Sequence, residues 1–261
     1  MTVVLHELKR AKIPFIIWCS VIAFMLAVCV FIFPEMKGEM EKAGDLFSSM
    51  GQFTAAFGMD KLNFGTFIGY FAIECGNVLG LGGAFFAAVT GISMLCKEEK
   101  ERTAEFLLAS PLSRARIVAE KLAALLIQIV ALNLIIYLLC IGSTAAVGEQ
   151  IPWKEMTLLF AAYFMLQIEL AGICFGLSAF LSKGGAGIGI GVAVVMYFLN
   201  IVSNLTESAE FLKYVTPYGY CDGALIVNDG KLDMTLVLIG AAVTVIFTAA
   251  AFIKYGKKDI N

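Results

Sequence analysis

The chain has 261 residues, of which 60% are hydrophobic and 15% are charged, and its formal net charge is -2 at pH 7. Ordinary soluble domains contain about 45–50% apolar and about 25% charged residues, so this composition excludes a typical soluble domain. It indicates a membrane protein embedded in the lipid bilayer, and we expect no nucleic-acid partner.

Motifs for catalysis, metal binding and nucleotide binding are missing from the sequence. The only histidine is His6, and the seven cysteines form no CxxC pair, so neither a zinc site nor a disulfide framework is indicated. No GxxxxGK[ST] motif occurs, and the glycines of KGGAGIGIGVA (183–193) do not follow a strand, so no Walker-type ATP site is predicted. We therefore expect no catalytic residue, metal or cofactor in this chain, and no enzyme activity.

Six apolar runs are long enough to cross a hydrocarbon layer of about 30 Å as helices. The runs are continuous rather than alternating with period two, which favours helices over a β-barrel. The predicted fold class is therefore an all-α membrane protein. We expect one transmembrane domain over residues 1–261, with spans at about 13–33, 65–95, 117–141, 156–181, 186–203 and 234–253.

The distribution of Lys and Arg predicts the orientation of these spans. Placing the amino terminus inside puts thirteen of the 19 basic residues on the inner side and six on the outer side. Inner loops of membrane proteins carry an excess of Lys and Arg. We expect a multi-pass protein of a bacterial cell membrane, with both termini in the cytoplasm.

The second apolar run, 65–95, is longer than one crossing requires. Counting about 20 residues back from Leu95 places Glu74 at the outer interface rather than in the hydrocarbon. We expect Glu74 to be a solvated or packing residue near the external mouth.

The largest inner loop covers residues 96–116, CKEEKERTAEFLLASPLSRAR. Each charged residue costs about 3 kcal/mol near a bilayer centre, so a segment this charged lies outside the hydrocarbon. The sequence predicts a short helix from Lys97 to Leu108, with Glu98 and Arg102 spaced for an ion pair. Ser110 and Pro111 then predict the start of the next helix.

Two interpretations of this loop follow from spacing alone. It can be an amphipathic helix in the headgroup layer, with its basic residues toward anionic lipid. Alternatively, the apolar corner formed by Phe106, Leu107 and Leu108 can dock into a groove on a cytoplasmic partner.

The stretch EEKERTAEFLLASPLSRARIVAEK resembles the inner loop of the type-2 class of ABC transporter permeases, although Arg102 stands where that family usually has Gly. In that family the loop is a cytoplasmic coupling helix between spans two and three, and it contacts a separate ATPase subunit that binds ATP and Mg²⁺. The resemblance therefore implies that an ABC ATPase contacts Glu98, Glu99, Thr103, Glu105, Phe106, Leu107, Leu108, Pro111, Ser113, Arg114 and Arg116.

Two further stretches are similar to the same family. LHELKRAKIPF (5–15) resembles its amino-terminal elbow helix at the inner membrane surface, and FLKYVTPYGYCDGALIVNDGKLD (211–233) resembles its segment between spans five and six. Interfacial aromatics usually anchor a helix bundle. The resemblance instead implies a re-entrant outer segment, 204–233, that covers the exit, with outer gate candidates Glu74, Tyr214, Pro217, Tyr218 and Tyr220.

Four polar residues fall at mid-depth in the third and fourth spans: Gln128, Asn133, Gln167 and Glu169. A carboxylate there is unfavourable unless it faces a polar interior or is protonated. The four residues either line a translocation path or form hydrogen bonds between helices. Gln167 and Glu169 lie on different faces of one helix, so we expect them to have different partners.

Glycines in the apolar runs recur at a spacing of four. Small residues at this spacing allow helices to approach closely in lipid. We expect such contacts at three pairs of glycines: Gly76 and Gly80, Gly172 and Gly176, and Gly187 and Gly191.

The sequence thus predicts the permease subunit of an ABC transporter, paired with a second copy or a sister chain. The apolar interior favours a lipid, hydrophobic peptide or drug-like substrate, and the resemblance implies export powered by the ATPase. One alternative is an ion- or proton-coupled secondary transporter or channel that uses Glu169. A second is a structural or signalling membrane protein that recruits a partner other than an ATPase through the same loop.

Overall fold

The computed structural model describes residues 2–49, 54, 56, 61–101, 112–182 and 185–257 of the chain. Within these ranges the protein is helical and contains no strand, which confirms the all-α class. Six helices are long and apolar enough to cross a membrane, so the predicted number of spans is also confirmed.

The spanning helices are α1, α2, α4, α5, α6 and α8, and two short helices lie between them. Their bounds are Thr2–Ser49 (α1), Phe67–Ser93 (α2), Lys97–Lys100 (α3), Arg114–Val147 (α4), Trp153–Ser178 (α5), Ala186–Leu205 (α6), Gly223–Asp229 (α7) and Met234–Gly256 (α8). The segment between α6 and α7 holds two 3₁₀-helices, Glu207–Tyr214 and Pro217–Tyr220.

Helix α1 is much longer than one crossing. Its 48 residues correspond to about 72 Å of helix, against a hydrocarbon layer of about 30 Å. Residues 2–12 continue into the span without a break, although Pro14 and Pro34 lie within the helix. The expected elbow is therefore not a separate helix. The ion pair between Glu7 and Lys121 holds residues 2–12 against the start of α4.

Helix α2 changes from α-helical to π-helical geometry about halfway along its length. It is α-helical over Phe67–Cys75 and Leu81–Ser93, with a π-helical turn at Gly76–Gly80 between them. The ring of Tyr163 lies against this turn, so that a Cβ atom at Gly76 would sit 2.9 Å from the Tyr163 hydroxyl. The predicted close approach at Gly76 and Gly80 is thus confirmed. Turns of this type are frequent at functional sites.

The start of α4 differs from the sequence prediction. The helix begins at Arg114, and Leu112 and Ser113 precede it without helical structure. The cap is Ser113, whose hydroxyl accepts a hydrogen bond from the Arg116 amide at 3.3 Å. Ser110, the predicted cap, lies outside the described residues. Serine is a good cap residue at either position, so the sequence alone does not select between them.

Helix α5 lies at the centre of the bundle. Gly172 and Gly176 face α8, where added Cβ atoms would lie 2.7 Å from Thr244 Cγ2 and 2.6 Å from the Phe247 carbonyl oxygen. The predicted close packing at these two glycines is confirmed. Because the α5 and α8 backbones approach so closely there, larger residues would separate the two helices.

The same close approach is not seen at Gly187 and Gly191 of α6 within the described part of the chain. No described atom of the chain lies within 4 Å of a Cβ position at either glycine. The contact is made by Gly189, where a Cβ would lie 2.7 Å from the Ala88 carbonyl oxygen. The three glycines alternate along α6, so the sequence does not show which of them faces α2. The rotation of α6 about its axis decides which glycine is buried.

Two ion pairs show that α1 and α4 run side by side in the same direction. Glu7 lies against Lys121 near the start of both helices, and Lys37 lies 3.7 Å from Glu149 beyond their apolar runs. We call the end that carries Glu7 and Lys121 the inner end, and the opposite end the outer end. The last helical residue of α8, Gly256, also lies at the inner end.

Candidate functional site

The inner end contains four paired charged residues, Glu7, Lys97, Glu98 and Lys121, which we call the inner ion-pair cluster. Lys97 is half-buried and the other three are buried. Lys121 is fully buried, and its Nζ atom donates to Glu7 Oε1 at 3.0 Å, to Glu98 Oε1, and to the Met94 carbonyl oxygen at 2.7 Å. All three donor positions of the ammonium are therefore used. A single side chain of α4 thus holds α1, the end of α2 and the start of α3.

Glu7 links the two lysines of this cluster. Its Oε1 atom accepts from Lys121, and its Oε2 atom accepts from Lys97, so both carboxylate oxygens are paired. Burial lowers the pKa of the Lys97 ammonium, and the Glu7 carboxylate opposes this shift. Two positive and two negative side chains balance, which is the condition for charges to remain buried.

A second set of bonds fixes the amino-terminal turn of α1. Glu120 Oε2 accepts from the Val3 and Val4 amides at 3.0 and 3.4 Å, which are among the unpaired donors at the start of a helix. Glu120 Oε1 also accepts from Arg116 Nε at 3.1 Å. The beginning of α1 is thereby attached to the first turns of α4.

Two arginines extend these connections. Arg10 of α1 pairs with Glu101, which directly follows α3. Arg114 Nη1 donates to the carbonyl oxygen of Gly256 at the end of α8, at 3.4 Å. The residues on both sides of the predicted coupling segment are thus bonded to helices that cross the membrane.

The predicted contacts for an ATPase fall into two groups. Glu98 is buried in the inner ion-pair cluster, and its Oε2 atom has no hydrogen-bond partner in the described part of the chain. Ser113 caps α4, and Arg116 is largely exposed. Glu99 and Arg114 are described and half-buried. Six predicted contacts lie outside the described residues: Thr103, Glu105, Phe106, Leu107, Leu108 and Pro111.

In the middle of the bundle, Asn133 of α4 and Gln167 of α5 are bonded to each other. Asn133 Nδ2 donates to Gln167 Oε1 at 2.7 Å and to the Ile129 carbonyl oxygen at 2.9 Å, and both side chains are buried. Gly83 of α2 leaves space for this pair, since a Cβ there would lie 2.3 Å from Gln167 Nε2. This geometry supports the interhelical interpretation of these two residues.

Gln128 has a different environment. Its Nε2 atom donates to the carbonyl oxygen of Ala124, one turn earlier in the same helix, at 3.0 Å. The side chain forms part of the floor of a groove between α1 and α4, toward the inner end. Gln128 therefore does not join the Asn133–Gln167 pair.

Glu169 is bonded to the outer segment. Its Oε2 atom accepts from the Tyr220 hydroxyl at 3.0 Å, and the side chain is 5% exposed. Glu169 lies about 24 Å along α5 from Trp153 and about 14 Å from Ser178, so Tyr220 reaches deep into the bundle. Gly240 of α8 lies against the carboxylate, with a Cβ position 2.1 Å from Oε2. As expected, Gln167 and Glu169 have different partners.

The outer gate candidates divide by burial. Pro217, Tyr218 and Tyr220 are buried, whereas Tyr214 is 55% exposed. Tyr218 donates to the Gly80 carbonyl oxygen at 3.4 Å, at the end of the π-helical turn of α2. The segment between α6 and α7 is thus attached to both α2 and α5.

Glu74 lies in the outer half of α2 and is half-buried. Its Oε2 atom accepts from the Cys29 thiol of α1 at 3.6 Å, a distance within the range for a sulfur donor. The contact joins α1 to α2 rather than to the segment that carries the other gate candidates.

An outer cavity of about 140 Å³ lies between this segment, the π-helical turn and α6. Its polar side chains include Asn77 of the turn and Asn200 and Asn204 of α6, none of which the sequence analysis singled out. The spacing of Asn200 and Asn204, one turn apart in an apolar helix, was the available signal. The four mid-depth polar residues do not line this cavity.

Comparisons with known proteins give one family match. The family model described as ABC-2 family transporter protein matches residues 1–260, which is nearly the whole chain. The search of curated proteins finds no match.

Proposed function

The chain belongs to the ABC-2 family of transporter proteins, and on this premise we propose that it is the permease subunit of an ABC exporter driven by a separate ATPase subunit. The ATPase binds ATP and Mg²⁺, and it contacts the cytoplasmic loop 96–116. A second copy or a sister chain completes the pathway. The inner end of the bundle faces the cytoplasm.

The observation that carries this proposal is the inner ion-pair cluster. Lys97 and Glu98 open the loop that an ATPase would contact, and they are bonded to Glu7 of α1 and Lys121 of α4. Removing one partner of a buried ion pair costs about 3–5 kcal/mol, so these contacts hold while the loop is pushed. Movement of the loop would therefore carry α1 and α4 with it.

The outer end supports a gate that responds to such movement. The segment between α6 and α7 is bonded to α2 through Tyr218 and to α5 through Glu169. Neutral hydrogen bonds contribute only about 0.5–1.5 kcal/mol each, so the Tyr218 contact can exchange with water. A shift of α2 or α5 would open the outer cavity beneath this segment.

The lining of the outer cavity favours an amphipathic substrate. Asn77, Asn200 and Tyr218 offer uncharged donors and acceptors, beside apolar side chains such as Leu62, Ile73 and Leu236. The charged residues Lys213, Asp222 and Asp233 also line the cavity. Ligand pockets of this mixed kind orient a polar group while they bury an apolar body. We propose a lipid, a hydrophobic peptide or a drug-like molecule as the substrate class.

The decisive experiment is purification of the tagged chain from its native membrane in mild detergent, followed by identification of the proteins that co-purify. We expect a Walker-motif ATPase with the unaltered chain and its loss after reversal of two loop charges, Glu105→Lys and Arg116→Glu. Reversal of Lys231, an exposed residue of the outer end, is the matched control and retains the ATPase. Retention of the ATPase by the loop variant would contradict the proposed docking.

The alternative of ion-coupled transport has one observation in its favour, the Glu169 carboxylate bonded to Tyr220 within the bundle. Carboxylates at such depth often carry protons in transporters. Vesicles that contain only this chain distinguish the two mechanisms. Uptake driven by a proton gradient without ATP, and lost in Glu169→Gln, would favour the alternative over the ABC mechanism.

A further inference from the structure

A groove between α1 and α4 opens on the surface of the bundle toward the inner end. Its walls are formed mainly by Leu8, Phe15, Ile127 and Ala131, and its volume is about 290 Å³. Ligand pockets usually span about 300–1,000 Å³, so the groove holds part of a long ligand rather than a whole one. Apolar walls and an open side favour a hydrocarbon chain.

Lys9 and Lys12 of α1 also line this groove. They are three residues apart, which places them on the same face of the helix. Lys12 directly precedes the apolar run that begins at Ile13, so both ammonium groups lie near the level where hydrocarbon meets headgroups.

The other basic residues near this groove are already paired. Arg10 is bonded to Glu101, and Lys97 and Lys121 are bonded to the carboxylates of the inner ion-pair cluster. Lys9 and Lys12 are exposed, and neither forms an ion pair with a described residue. Two positive charges beside an apolar groove are therefore available to a ligand with a negatively charged group and a hydrocarbon chain.

We propose that this groove binds an anionic phospholipid of the inner leaflet. One acyl chain lies between Phe15 and Ile127, and the phosphate lies between Lys9 and Lys12. Basic pockets between transmembrane helices on the cytoplasmic side are suited to such headgroups. Because α1 and α4 form the two walls, the bound lipid stabilises their contact beside the inner ion-pair cluster. This site requires neither ATP nor an ATPase.

The test is native mass spectrometry of the purified full-length chain, titrated with dioleoylphosphatidylglycerol or with dioleoylphosphatidylcholine. The two lipids have the same acyl chains and differ in headgroup charge. We expect the unaltered chain to bind the anionic lipid about tenfold more tightly, and Lys9→Gln with Lys12→Gln to abolish this preference. The matched control is Lys254→Gln with Lys257→Gln, two lysines with the same spacing at the end of α8, and it retains the preference.

A second variant tests the groove itself without changing its charge. Ala131→Phe fills the space between α1 and α4, and we expect it to weaken binding of both lipids by a similar factor. An unchanged melting temperature shows that each variant is folded. The proposal is overturned if the lysine variant keeps its preference, if the α8 control loses it equally, or if Ala131→Phe has no effect. Loss of a dimer in the lysine variant would also overturn it, by assigning the groove to a second copy.

Discussion

The inner and outer ends of the bundle use different chemistry to hold their helices together. At the inner end, Glu7, Glu98 and Lys121 are buried, Lys97 is half-buried, and the four are paired with one another. At the outer end, contacts are made mostly by tyrosine hydroxyls, amide side chains and helix caps around a cavity. Clustered ion pairs at one end and mostly single hydrogen bonds at the other predict different responses to force.

This difference indicates at which end the helices can move relative to one another. A buried ion pair that loses one partner leaves an unpaired charge, at a cost of about 3–5 kcal/mol, so the inner contacts change together or not at all. Neutral hydrogen bonds exchange with water at a net cost of about 1 kcal/mol each. Under the proposed function, an ATPase drives the protein from the cytoplasm, so we expect the inner end to transmit movement and the outer end to open.

Substitution of Lys121 by Met is expected to have the largest effect on the inner end. It leaves Glu98 and one oxygen of Glu7 buried without their cation, and we expect the free energy of unfolding to fall by about 3–5 kcal/mol. Unfolding in mixed micelles with increasing dodecyl sulfate measures this change. Lys257→Met, at an exposed lysine of the same end, is the control and has little effect.

A paired variant separates the charge effect from lost packing. Lys121→Met with Glu98→Gln removes one positive and one negative charge and leaves the Glu7–Lys97 pair in place. We expect it to recover at least half of the loss seen with Lys121→Met alone. Equal losses in both variants would mean that packing, rather than charge balance, holds the inner end.

At the outer end, Tyr220→Phe tests a contact between a tyrosine hydroxyl and a buried carboxylate. The change removes the hydroxyl that donates to Glu169 Oε2 at 3.0 Å and leaves a buried carboxylate oxygen without that donor. We expect a loss of about 2 kcal/mol in the free energy of unfolding. Tyr214→Phe, at a residue that is 55% exposed, is the control and should change stability by less than about 0.5 kcal/mol.

Gly240→Ala tests the same carboxylate from the side of α8. A methyl group at this position would lie 2.1 Å from Glu169 Oε2, so the side chain or the helix must shift. We expect a loss of about 1.5 kcal/mol, typical of overpacking. Gly191→Ala meets no described atom within 4 Å and should be nearly neutral. Similar losses in both would show that α6 is covered on its exposed face, for example by a second copy.

The number of spans could be predicted because lipid imposes a length on every apolar run. Each expected run is covered by a helix, since hydrocarbon leaves no alternative way to satisfy the backbone. The ends of the helices depend on packing instead. Ser113 rather than Ser110 caps α4, and α1 continues through the expected elbow because Glu7 is held by Lys97 and Lys121.

The candidate site was less predictable, because its contacts join residues far apart in the chain. Glu7 and Lys121 are separated by 114 positions, and Glu169 and Tyr220 by 51. Opposite charges at the inner ends of two spans were the signal for the first pair. For the second pair, the polar residues were visible but their pairing was not, since it depends on how far the outer segment enters the bundle.

The smallest predicted effect concerns the boundary between the two ends, where Asn133 and Gln167 link α4 to α5. A double-mutant cycle of Asn133→Leu and Gln167→Leu should give a coupling energy of about 0.6 kcal/mol, the average for hydrogen bonds between membrane helices. The cycle of Gln128→Leu with Gln167→Leu is the control and should give none, because the Gln128 amide donates to the Ala124 carbonyl of its own helix and not to Gln167. If transport in the assembled complex survives Asn133→Leu while the coupling energy is lost, the pair serves packing and the path lies elsewhere. If transport is lost while stability is unchanged, the amides contact the substrate and the region that opens extends inward to the middle of the bundle.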